Sequence, residues 1–132
     1  MNYRTLGKTG FKVSEVSLGT WQLGGKWGDK FDAQSAEETL RRAVETGVNF
    51  FDTADGYVDG LSENAIGKFV KTVSDRIYVA TKCGRRLNPH NADGYNRKNI
   101  RGFVHDSLKN MGLEVLDLIQ LHCPPTEVDR KS

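Results

Sequence analysis

This chain has little with which to cross-link itself, cross a membrane or grip a polyanion. Its 132 residues include two cysteines, Cys83 and Cys123, at neither zinc-ligand nor redox spacing. A reducing, cytoplasmic setting is the expectation. No apolar run approaches the ~20 residues of a membrane helix. Met1-Asn2-Tyr3-Arg4 leads straight into polar, glycine-rich sequence with no signal-peptide core. Nineteen basic residues stand against 17 acidic ones, a formal charge of +2 that leaves no nucleic-acid footprint. Gly24, Gly25 and Gly28 are not followed by the Gly-Lys-Ser/Thr of a phosphate loop, and read as a flexible loop near a substrate mouth. His90 and Asp93 lack a second ligand pair that would make them a metal site. No second domain, linker or low-complexity segment interrupts the chain, so residues 1–132 are expected to form one incomplete domain.

What is present is ordinary globular composition, 37% hydrophobic and 27% charged, arranged in a repeating plan. Short apolar pieces around Gly7-Lys8-Thr9-Gly10, between Tyr3 and Val13, predict a hairpin ahead of the main fold, placed as a plug over one end. Val16-Ser17-Leu18 predicts a first strand. Ser35-Ala36-Glu37-Glu38 fits a capping box, after which Leu40, Ala43 and Val44 share a helix face that ends at Gly47. The apolar run 48–51 is a second strand. Ser62 is a candidate N-cap for a helix whose stripe is Ala65, Ile66, Phe69 and Val70. Ile77 to Thr81 is a strand apolar enough to be buried on both faces. A loop from Gly84 to Tyr95 leads to a helix capped by Asn96 and ended by Gly112, lined by Ile100, Phe103, Val104, Leu108 and Met111. Leu116 to Leu121 is the last strand, and the tail from Pro124 to Ser132 is polar with no helical stripe. Alternating strands and helices imply a parallel sheet with right-handed crossovers. The fold class is α/β of the (β/α)8 type, here roughly the first four strands, since a whole barrel runs to roughly 250 residues.

Residues at the carboxyl ends of such strands gather on one face, where catalysis takes place. Asp52, Lys82 and His122 each close a predicted strand, and Tyr57 lies in the turn just after Asp52. A carboxylate, an ammonium, an imidazole and a phenol on that face make a proton-transfer site. Taken singly each has a plainer reading: Asp52 as a turn cap, Tyr57 as a loop aromatic, Lys82 as a solvated strand end, His122 as a rim histidine. Their joint occurrence favours the functional one. Cys83 and Cys123, each following a site position, are expected to turn to the opposite side as small packing residues. His105 is expected on the exposed or flanking side of the third helix, and Arg85 and Arg86 in a solvated loop rather than on an anionic substrate or cofactor phosphate.

Phe51-Asp52-Thr53-Ala54-Asp55-Gly56-Tyr57 followed by Ser62-Glu63-Asn64 resembles the signature of the aldo-keto reductases. Leu6-Gly7-Lys8-Thr9-Gly10, Leu18-Gly19-Thr20-Trp21, Ala80-Thr81-Lys82 and Asp117-Leu118-Ile119-Gln120-Leu121-His122 resemble it too, in the family's order. The resemblance implies reduction of aldehydes and ketones by NADPH, with NADH as the less usual donor. It implies a catalytic tetrad at Asp52, Tyr57, Lys82 and His122, with Tyr57 as general acid. It also implies cofactor contacts at Gly19, Thr20, Trp21 and Asp52. Most of the cofactor site would lie outside this chain, which reads as the N-terminal half of a larger barrel. The partner implied is a small carbonyl substrate, with neither nucleic acid nor membrane, and with self-association through half-barrel edges. Two other readings stay open: a non-catalytic relative, either a nicotinamide-binding auxiliary subunit or an inactive fragment, and a barrel aldolase with Lys82 as Schiff base.

Overall fold

The computed structural model describes residues 1–26 and 28–129. Strands β1 (Tyr3–Thr5) and β2 (Lys12–Ser14) form the expected antiparallel hairpin, with Arg4 opposite Val13. The hairpin is anchored under the main sheet at its amino-terminal end. The Ser14 amide donates to Asn49 Oδ1 at 2.7 Å, Asn49 Nδ2 donates to the Lys12 carbonyl at 3.0 Å, and Phe11 stacks on Tyr78 with ring centroids 4.7 Å apart.

Four strands follow in one parallel sheet, in the order β3 (Leu18–Gly19), β4 (Phe50–Asp52), β5 (Tyr78–Cys83), β6 (Leu118–Leu121). Helices α1 (Ala33–Glu45), α2 (Leu61–Val70) and α3 (Arg97–Met111) are the crossovers. This is a (β/α) barrel taken through its first four strands, as the alternation predicted. Register places Phe51 beside Leu18 and Val79, and Asp52 beside Gly19 and Ala80. Alternation then sorts the side chains. Phe51 and Val79 join the core beneath the helices, while Asp52 and Lys82 take the opposite face. No described helix is long and apolar enough to cross a membrane.

Several local expectations shift. The first strand starts at Leu18, because the chain bends at Val16, which is 59% exposed and whose carbonyl accepts from Ser14 Oγ. The cap of α1 is Asp32, not Ser35: its carboxylate accepts from the Ser35 amide at 2.9 Å, and Ser35 falls inside the first turn. Ser62 is likewise inside its helix. Helix α2 is entered from a 3-10 turn (Tyr57–Gly60) through left-handed Gly60, which frees the Ser62 hydroxyl to point inward. Asn96 caps α3 and left-handed Gly112 ends it, as expected. Cys83 is buried, but Cys123 is exposed at a positive φ of 49°, because strand alternation ends at His122. The tail holds one helical turn, α4 (Thr126–Asp129), where none was expected, and the rest of it, 130–132, lies outside the described residues.

The core is a helix-on-sheet layer in which Phe51, Leu40 and Ile66 have no exposed surface and Met111 has 2%. Complete burial of such side chains is worth about 1.5–3 kcal/mol each. Helices α2 and α3 touch through backbone. A Cβ on Gly67 would stand 2.0 Å from the Met111 carbonyl oxygen, a position only glycine can fill. Two carboxyls are buried in the same layer. Glu63 accepts from Thr81 Oγ1 at 2.6 Å and from Asn110 Nδ2 at 2.9 Å. Asp55 is 1% exposed, and neither oxygen has a partner among the described residues. Burial pushes its pKa from 3.8 up to about 6, with Glu63 and Asp106 reinforcing the rise and Arg86 and the Gly56 amide opposing it.

Two outcomes follow. Replacing Gly67 with alanine should destabilise the fold by about 1–3 kcal/mol or more, read as a lower denaturant midpoint; an unchanged midpoint would contradict the backbone contact. Asp55 in the folded state holds a proton between pH 4 and about 6 that the unfolded chain has released. Its burial therefore costs stability increasingly as pH rises through that window and fully above it. Asp55→Asn should raise Tm more at pH 7.5 than at pH 4; an equal effect at both would refute the shift.

Candidate active site

The tetrad positions meet at the carboxyl end of the sheet because parallel strands in register end together. Asp52 is the last residue of β4, Lys82 the penultimate residue of β5, and His122 follows β6 directly. The sheet ladder continues past the strands. The Thr53 amide donates to the Ala80 carbonyl at 2.8 Å, Asp55 N–H to Lys82 O at 3.1 Å, and His122 N–H to Cys83 O at 2.7 Å. Tyr57 opens the 3-10 turn, whose Val58 and Asp59 both hold left-handed φ near 50°. That tight turn brings the phenol back over the strand ends.

Lys82 is the hub. Its Nζ donates to Asp52 Oδ2 at 2.7 Å, to the Thr53 carbonyl at 2.8 Å and to Tyr57 Oη at 3.4 Å. An ammonium has three protons, and all three are directed. The side chains of Lys82 and Asp52 are 17% and 35% exposed, so the pair is partly shielded from solvent. Nζ also lies 5.1 Å from the centroid of the Tyr57 ring. The imidazole of His122 meets that ring edge-on, with centroids 5.9 Å apart. Its Nδ1 is buried without a partner among the described residues. Burial holds the His122 pKa below 6.5, Lys82 and Arg85 lower it further, and Asp52 opposes them. A neutral ring with an unpartnered buried Nδ1 favours the proton on Nε2, leaving that nitrogen as a donor.

Beneath the site lies a layer of hydroxyls that sequence reasoning did not assign. Thr20 Oγ1 donates to the Asp52 carbonyl at 2.9 Å, and Ser62 Oγ lies 3.0 Å from both Thr20 Oγ1 and Thr53 Oγ1. All three residues are at most 1% exposed. The cluster fixes the backbone on either side of Asp52. All three lie within the quoted motifs, but Thr20 was read there as a cofactor contact and Ser62 as a cap, and nothing in the spacing joined them. Of the other positions singled out, Gly19 ends β3 beside Asp52 with open space where a Cβ would stand. Thr20 has its hydroxyl committed to the backbone. Trp21 is 55% exposed and, with residues 22–26, Gly56 and Tyr57, borders a cleft of about 480 Å³. His105, Arg85 and Arg86 are exposed, and Arg85 is near enough to His122 to lower its pKa. His90 is hydrogen-bonded to Tyr95 at 2.8 Å. No cluster of three potential metal ligands occurs among the described residues. A larger groove along β3 and α1, lined by Val16, Leu18 and Ala43, carries none of these groups.

The model of the Aldo/keto reductase family matches residues 15–131. The aldo-keto reductase YhdN of Bacillus subtilis is 34% identical over 127 residues, which are 94% of this chain and 38% of that protein. A Schizosaccharomyces pombe protein named as a voltage-gated potassium channel subunit beta is 37% identical over 131 residues, 96% of this chain and 38% of its own length. Among solved structures, the holo form of an aldo-keto reductase from Bacillus halodurans superposes with a TM-score of 0.77 at 32% identity, over 92% of this chain and 40% of that one. The chain thus spans about two fifths of the length of the relatives it matches. With a family model over most of its length and a parallel sheet of the same architecture, this chain belongs to the aldo/keto reductase family.

Proposed function

We propose that this chain carries the acid–base half of a carbonyl reductase, in which aldehydes or ketones are reduced at the expense of NADPH. The observation that supports this best is the approach of Lys82 Nζ to Asp52 at 2.7 Å and to the Tyr57 hydroxyl at 3.4 Å, at one mouth of the sheet. A nicotinamide cofactor, when bound, supplies the hydride that reaches the carbonyl carbon. The residues that would hold its ring are Gly19, Thr20, Trp21 and Asp52. The open space over Gly19 beside the Asp52 carboxylate fits a flat group.

The chain's own residues handle the proton. Tyr57 Oη gives its proton to the carbonyl oxygen as negative charge develops there. The Lys82 ammonium stabilises the phenolate left behind, and Asp52 aims the ammonium through the 2.7 Å hydrogen bond. His122 donates from Nε2 to the same oxygen and orients the substrate; its depressed pKa keeps it a neutral donor at pH 7. The same geometry disfavours an aldolase. A Schiff-base lysine needs a free lone pair, and Lys82 has every proton engaged beside a carboxylate.

The second reading, a nicotinamide-binding auxiliary subunit, draws on the relative named as a potassium channel subunit. It keeps the cofactor and dispenses with turnover. The two readings part on Tyr57→Phe in the complete protein. Turnover of an aromatic aldehyde, followed as loss of reduced-nicotinamide absorbance, should fall by about 10²–10⁴-fold with cofactor binding little changed. Undiminished turnover would remove Tyr57 as the acid, and wild-type protein that binds NADPH without turnover would favour the auxiliary subunit.

We also propose that the 132-residue chain alone self-associates and binds cofactor weakly. Strands β3 and β6 each leave an edge unpaired among the described residues, and Leu121 on β6 is 37% exposed. Sedimentation of the isolated chain should show dimers or larger species, and fluorescence titration with NADPH should not saturate in the sub-micromolar range. A monodisperse monomer with tight binding would overturn both statements.

A further inference from the structure

We propose that Tyr95 positions His122, and that His90 directs the Tyr95 hydroxyl to that task. The inference deepens the reductase reading, since it presupposes that the His122 ring serves the carbonyl site.

His122 carries its imidazole on the first residue past β6, where strand pairing gives out. Imidazoles that must hold one direction usually donate their second nitrogen to a carboxylate or carbonyl. His122 has no such tether, because Nδ1 is buried and unpartnered among the described residues. The ring direction therefore depends on the backbone that bears it and on the edge contact with Tyr57. One side of that backbone is fixed by the ladder bond from His122 N–H to Cys83 O, 2.7 Å. The other side is the His122 carbonyl, and Tyr95 Oη donates to it at 3.3 Å from 27 residues away.

The Tyr95 ring is itself held in place. Gly84, the first residue after β5, takes a φ of 101°, and a Cβ there would stand 2.5 Å from the Tyr95 ring. The 84–95 loop thus lays the ring against bare backbone at the end of β5. Its hydroxyl has one proton and two neighbours. His90 Nε2 lies 2.8 Å away on one side and the His122 carbonyl lies on the other. A carbonyl oxygen can only accept. With the His90 proton on Nε2, that nitrogen donates to Tyr95 Oη and the phenol proton goes to His122 O, so all three groups are satisfied. With the His90 proton on Nδ1, Nε2 would compete for the Tyr95 proton and the carbonyl would lose its partner. Burial pushes the Tyr95 pKa up, with Cys83, Cys123 and Asp55 adding to the rise and Arg85 opposing it, so the hydroxyl keeps its proton at neutral pH.

The chain has three histidines, His90, His105 and His122, which makes the test direct. Their ring titrations in the full chain are followed by NMR in wild type, Tyr95→Phe, His90→Ala and the double variant. The phenylalanine keeps the ring against Gly84 and removes only the hydroxyl. Loosening His122 toward solvent relieves the burial that lowers its pKa. Its midpoint should therefore move up toward 6.5 by a few tenths of a unit in either single variant, and no further in the double. If the His122 midpoint stays at its wild-type value in folded Tyr95→Phe, or in His90→Ala should that variant not fold, the proposal is wrong. This arm needs no turnover. In the complete protein, Tyr95→Phe should also lower kcat more than it raises the KM for cofactor. Absence of wild-type turnover with a displaced His122 midpoint would count against the reductase reading and leave the Tyr95 contact standing.

Discussion

One ammonium organises this end of the molecule. Lys82 sits on the strand between the two that supply Asp52 and His122, and its three protons reach a carboxylate, a backbone carbonyl and a phenol. Remove the charge and three elements lose their common partner: the end of β4, the turn after it, and the ring of Tyr57. A lone surface ion pair contributes little, typically under about 1 kcal/mol. This one differs in being partly screened from water and in ending on a directed carbonyl. What it supplies is geometry more than stability, since each proton can satisfy its acceptor only when the strand ends are level.

Level strand ends are in turn a property of the parallel ladder. Phe51 and Val79, neighbours in register, anchor β4 and β5 to the helix layer, so that the residues one position later, Asp52 and Ala80, face the other way together. The hydroxyl layer of Thr20, Thr53 and Ser62 then closes the gap between sheet and α2 just below the site. Asp52, Tyr57, Lys82 and His122 thus rest on a polar but fully bonded floor, which costs little because each hydroxyl has its partner.

The sequence made these strand ends legible because chemistry-bearing residues interrupt apolar runs where periodicity ends them, and because motifs of one family fall on them in order. Helix faces were legible for the same reason: Leu40, Ile66 and Met111 lie where the apolar spacing put them. Caps were less so. Asp32 and Gly60 take the roles expected of Ser35 and Ser62, since a cap depends on where the preceding loop enters, which spacing alone does not encode. Least visible were contacts across long separations. Glu63 with Asn110, 47 residues apart, and Tyr95 with His122 leave no local trace. Asp55 sat inside the recognisable motif, yet its burial without a partner follows from the packing of α2 and α3 around it.

At Gly67 no side chain stands between helix α2 and the Met111 carbonyl of α3. Two helices in backbone contact cannot slide past one another without breaking that fit. Through Ser62 and Glu63, α2 is also bonded to Thr53 and Thr81 at the strand ends. The floor under the four groups consequently behaves as one stiff piece. Whatever enters this mouth meets a platform that keeps its shape.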